Sequence, residues 1–164
     1  MKSFVIGAGL AGLLFIGNGA EPASAAMDQD ALNAAAKICV NGTGGMAKAV
    51  ESCTTVLENT SMSPQGTATL LYFRGSSLEE LGRHQEAIAD LDRAIGIYET
   101  ANDRASWSKD AIAKIAASYS WRAQAKEALQ RCDEAKLDFE KAAQTAVEIS
   151  NRRDYERAAR AACS

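Results

Sequence analysis

From Thr67 to Glu99 large apolar residues recur every three or four positions, at Leu71, Leu78, Leu81, Ile88, Leu91, Ile95 and Tyr98, with small ones interleaved at Ala68, Gly75, Ala87 and Ala94. That is the period of a helix burying one face, and it is interrupted once, at Gly82-Arg83-His84. Two antiparallel helices joined by a tight turn are predicted. The same period occupies the flanks. Asp28 to Val40 places Leu32, Ala35, Ala36 and Cys39 on one face, with Asp28 or Asp30 available as a cap. Asn41 to Gly45 ends that helix, and Met46 to Glu58 resumes with Ala49, Val50, Cys53, Val56 and Leu57 inward. Ser63-Pro64 reads as a helix start, the serine capping and the proline at the first helical position.

Downstream, Ala116 to Ala146 repeats the central pattern with Tyr119, Ala123, Ala135, Phe139 and Ala142, and Ala135-Lys136-Leu137-Asp138-Phe139 aligns with Ala87-Ile88-Ala89-Asp90-Leu91. The small and large positions of 67–99 resemble the tetratricopeptide repeat, whose pattern implies that the two helices touch most closely at Gly75 and Ala87 with Leu71, Leu78 and Leu91 beside them. Arg74 and Glu99 depart from that family's usual aliphatic and proline. The resemblance implies an all-α fold, a tetratricopeptide-like α-solenoid of helical hairpins. Its units are a degenerate hairpin at 28–58, repeats at 64–100 and 106–149, and a capping helix at 151–163, started by Asn151, that covers the exposed end. Ala87 and Ala135 lie 48 residues apart against a family period of about 34. The excess is close to four helical turns, so the expectation is extended helices over Ile88–Thr100 and Ser106–Leu129, with a loop at 101–108 as the alternative.

Ahead of this domain, Lys2, the apolar run Phe4 to Ile16 and the small residues Ala23-Ser24-Ala25 have the order of a cleavable export signal at 1–25, leaving a mature domain at 26–164. The apolar run is too short to span a bilayer as a helix, which restricts membrane contact to export. The protein is therefore expected outside the cytoplasm, in the periplasm or secreted. Gly7, Gly9 and Gly12 satisfy the G-x-G-x-x-G pattern of nucleotide-dependent oxidoreductases. That alternative needs a following helix, a second parallel strand and an acid near its end, and no β-rich run follows. Composition agrees with packed helices: 47% hydrophobic residues, 6% aromatic, and two prolines. A net charge of -3 removes the basic surface that general nucleic-acid binding requires.

Four cysteines follow the leader, an even count that favours two disulfides in an exported chain. Three pairings are possible. Cys132 begins one helix and Cys163 ends its antiparallel neighbour, which makes them one expected pair and leaves Cys39 with Cys53, somewhat out of level across a glycine loop. His84 is the one histidine and has no second ligand at helical spacing, Ser76, Ser77 and Ser120 lack a nucleophile elbow, and the acidic pairs Glu79-Glu80 and Asp90/Asp92 read as solvated surface. No catalytic residue, cofactor site or metal site is expected. By the family resemblance, the first helix of each unit lines a groove for a protein or peptide partner, with Tyr72, Ser76 and Glu79 in the central unit and Ser120, Gln124 and Glu127 in the next. That groove is neutral to acidic, with Tyr72 as its anchor. Arg152, Arg153, Arg157 and Arg160 give the last helix a positive side. Self-association as a structural envelope component is the remaining reading.

Overall fold

A computed structural model describes residues 27–101 and 104–163; the expected leader at 1–25 and its Gly7, Gly9 and Gly12 lie outside them. Among the described residues the elements are α1 (Gln29–Asn41), α2 (Met46–Asn59), α3 (Pro64–Glu80), α4 (His84–Thr100), a short 3-10 turn (Arg104–Ser106), α5 (Lys109–Ala128), α6 (Cys132–Thr145) and α7 (Ile149–Ala161). There are no strands among them. Each helix packs on its chain neighbours, and α3 also packs on α5, so first helices of successive hairpins (α1, α3, α5) form one layer and second helices the other. This is the helical-hairpin solenoid.

Local chemistry accounts for the boundaries. Ser63 Oγ accepts the Gly66 amide at 3.2 Å with Pro64 in the first turn, and Ser108 Oγ accepts the Ala111 amide at 3.1 Å. Gly82 ends the α3–α4 turn at φ 73°, a backbone state that favours glycine. Gln130, 48 residues later, holds the same left-handed turn at φ 58°. At Gly75 an added Cβ would stand 2.7 Å from Leu91 Cγ, so the close approach of α3 and α4 is open to glycine alone without displacing Leu91.

The main core gathers Leu71, Ile95, Trp107, Ile115 and Tyr119 between the two complete hairpins. A second cluster, Leu78, Ile88 and Leu91, fills the α3–α4 interface, and Phe139 with Ala123, Ala135 and Ala159 seats α7 on the last hairpin.

Two expectations are corrected. α5 does not begin at Ser106: 101–108 connects α4 to α5, because Ser108 caps the helix and Trp107 turns into the core, meeting Tyr98 edge-on at 5.6 Å between centroids. The last helix begins at Ile149 with Glu148 before it, so Asn151 lies inside the helix and does not cap it.

Two disulfides brace the ends. Cys39 and Cys53 are bonded across α1 and α2 with Cα atoms 4.8 Å apart, and Cys132 and Cys163 tie the start of α6 to the end of α7 at 5.5 Å. The offset between Cys39 and Cys53 is absorbed by the glycine loop, where Gly42, Gly44 and Gly45 all take positive φ.

Candidate interaction surface on the inner helix layer

α3 carries Tyr72, Phe73, Ser76 and Glu80 on one face, the i, i+1, i+4 and i+8 positions of a helix. Together with Val40 and Met46 from the α1–α2 corner and Trp121 from α5, they surround a cleft of about 210 Å³. Its walls combine rings and aliphatic groups with the polar side chains of Asn41, Ser76 and Ser77. Tyr72 and Phe73 meet edge-on at 5.0 Å, and burial, partly offset by the neighbouring Trp121 indole, raises the Tyr72 hydroxyl above its ordinary pKa. The phenol therefore stays neutral at physiological pH. Glu80 is the one formally charged side chain lining the cleft, and it is exposed.

The residues expected to line the groove fall into two groups. Tyr72 and Ser76 are on the cleft. Glu79 is turned aside: its carboxylate lies 3.7 Å from His84 Nδ1 across the α3–α4 turn, and burial raises its pKa, with the His84 interaction opposing. The neighbouring Glu80 takes the cleft position. In α5, Gln124 Nε2 donates to the Ser120 carbonyl at 3.3 Å, and Glu127 Oε1 accepts the Cys163 amide at 2.9 Å. Glu127 thus holds down the chain after α7. The α5 residue that lines the cleft is Trp121, and a helical wheel centred on Tyr72 and Ser76 does not reveal it because it comes from the adjacent hairpin.

The inner layer is held in register by charge clusters that reading Asp90 as solvated surface missed, whereas Asp92 is exposed as expected and still takes part. Asp90 is 5% exposed and receives two hydrogen bonds from Arg74, Nε at 2.6 Å and Nη2 at 2.7 Å, while Arg74 Nη1 donates to Thr54 of the preceding hairpin at 2.9 Å. The next unit repeats this 48 residues on. Arg122 donates to Asp138 by Nε at 2.8 Å and Nη2 at 2.6 Å, and its Nη1 reaches back to Asp92 at 2.5 Å. Lys126 stands where the first unit has Leu78 and adds a third bond to Asp138 at 2.7 Å. Each arginine therefore joins both helices of its own hairpin to the second helix of the one before, with the bidentate geometry only a guanidinium supplies. Asp90 bonding lifts the Arg74 pKa further, so the clamp stays charged at all physiological pH. The signal was present in the sequence. Arg74, the departure from the family pattern, pairs sixteen residues ahead, and so does Arg122.

A larger cleft of about 490 Å³ lies between α6 and α7, with Lys136, Glu140, Arg152, Glu156 and Arg160 on its walls. Of the four arginines on α7, Arg152 and Arg160 line it, Arg157 pairs with Asp154 at 3.3 Å, and Arg153 is exposed. Among the described residues no cluster of three His, Cys, Asp or Glu could hold a metal ion, and no helix is long and apolar enough to cross a membrane.

Comparison with protein families finds the tetratricopeptide repeat family model at residues 68–100, which are α4 and all but the first turn of α3. Comparison with curated proteins and with solved structures returns no match. A matched repeat, consecutive hairpin packing and a second unit that reproduces the first unit's turn and clamp all describe one architecture, a helical-hairpin stack. Residues 68–100 are a tetratricopeptide repeat, and the helical hairpins on either side continue its stack.

Proposed function

We propose that the protein is an exported, non-enzymatic scaffold that holds a segment of a partner protein against its inner helix layer. One observation carries the reading: Tyr72, Phe73 and Trp121 leave ring surface around an open cleft on that layer, where most large apolar side chains elsewhere are packed in the core. Aromatic side chains bring large contact area at low entropic cost, which suits an anchor for a partner. The rigidity required of such a surface comes from the arginine clamps, which keep neighbouring hairpins from sliding, and from the two disulfides, which brace the first hairpin and fasten α7 to α6. Export is supported by the leader pattern in the sequence and by disulfides, which persist in oxidising compartments.

The test compares purification of partners from the native host by the wild-type protein and by Tyr72→Ala with Trp121→Leu, both checked for unchanged helicity. The inner-layer reading expects the wild-type partner to be lost from the double variant. Equal capture by both proteins would remove it.

A further inference from the structure

The cleft on α3 has the chemistry of a cation site. Three ring systems border it, Glu80 contributes its one formal charge, and no basic side chain lines it. A ring face carries negative electrostatic potential, and a planar guanidinium can stack on it while its edge hydrogen bonds to a carboxylate. The protein already uses this attraction beside the cleft: the Lys114 ammonium lies 5.8 Å from the Phe73 centroid, while also paired to Asp110, and is not part of the cleft wall. Arg122 similarly sits 5.4 Å from the Tyr119 ring. The volume, about 210 Å³, suits the head of one long side chain better than a folded element. An acidic ligand would meet Glu80 with no basic side chain lining the cleft to offset it, and a purely aliphatic one would leave the Glu80 carboxylate unused.

We infer that this cleft receives an arginine side chain from the partner's bound segment, stacked among Tyr72, Phe73 and Trp121 with its guanidinium edge toward Glu80. The inference rests on the inner-layer reading above and specifies its ligand. It makes charge, and not only shape, the property that selects the segment.

The probe is a blocked peptide, Gly-Ser-Arg-Ser-Gly, compared with the same peptide carrying citrulline, which keeps the side-chain shape and removes the charge. Binding is followed at the Trp121 indole N–H by NMR in the disulfide-intact protein. The arginine peptide is expected to shift that resonance and to bind about 3- to 30-fold more tightly than the citrulline peptide, the range expected of a cation over rings. Glu80→Gln, an exposed substitution that leaves the core untouched, should remove much of the difference. Equal binding of the two peptides at Trp121, or arginine binding unchanged in Glu80→Gln, overturns the cation site while leaving the inner-layer groove standing. Absence of any shift at Trp121 with either peptide overturns it as well. The groove reading itself fails separately, by partner capture that survives Tyr72→Ala with Trp121→Leu.

Discussion

Asp138 is 4% exposed and takes bonds from Arg122 twice and from Lys126 once. Removing that carboxylate leaves the buried Lys126 with only Glu134 at 3.8 Å and Arg122 with only Asp92, so Asp138→Ala should lower unfolding free energy by about 3 kcal/mol in urea titration. Asp90→Ala should act in the same direction through Arg74. Because a paired buried charge stabilises little relative to well-packed apolar groups, the double change Arg74→Met with Asp90→Leu should be less damaging than Asp90→Ala alone, and a larger loss in the double would contradict this account of the clamp. Gln130 offers the opposite sign. It occupies a left-handed turn that glycine fills at Gly82, so Gln130→Gly should stabilise by about 1 kcal/mol, read as a raised urea midpoint. Glu79 supplies the pH dependence. Its folded pKa is raised above the unfolded value, so the folded state binds the extra proton and this group's contribution to stability falls as pH rises through the carboxylate range. Glu79→Gln cannot titrate, and should therefore gain on the wild type between pH 4 and pH 7. A constant difference across that range would show that the Glu79 carboxyl is unperturbed.

At the scale of elements, the hairpins and their core were legible in the sequence because burial of one helical face leaves a period that needs no tertiary knowledge. Leu71, Leu78, Leu91, Ile95, Tyr119 and Phe139 are all in the core clusters or at their centre. What periodicity does not carry is contact between hairpins. Trp121 enters the cleft from α5, and Arg74 reaches Thr54 across two helices, and neither follows from a helical wheel of its own helix. The start of α5 was placed early, at Ser106 instead of Lys109, for a related reason. Trp107 continues the apolar face of α5 in register, but it is buried from a loop, and the cap at Ser108 marks the boundary more reliably than the apolar pattern. Phe139, 4% exposed, seats α7 on the last hairpin, and Phe139→Ala should cost about 3 to 5 kcal/mol. A negligible cost would remove the packing role assigned to that ring.

The whole molecule is a short stack whose two ends are covalently braced, one disulfide within the first hairpin and one fastening α7 over the last. For a domain of this size each bridge is expected to contribute about 2 to 4 kcal/mol, so the account depends on an oxidising location. Protein recovered from its host, denatured and alkylated without reductant, should begin at Ala26 or Met27 and carry no alkylated cysteine in its intact mass. A chain beginning at Met1 with four alkylated thiols would place it in a reducing compartment and return Gly7, Gly9 and Gly12 to consideration. The central claim is that partners bind the inner layer. Photocrosslinker placed at Ser76, on the cleft, and separately at Leu137, 60% exposed on α6 of the other layer, tests it in the living host. The account predicts a discrete crosslinked species from Ser76 that is absent from Leu137 and is reduced by Tyr72→Ala. Crosslinks from Leu137 alone would contradict it and move the interaction surface to the outer helices.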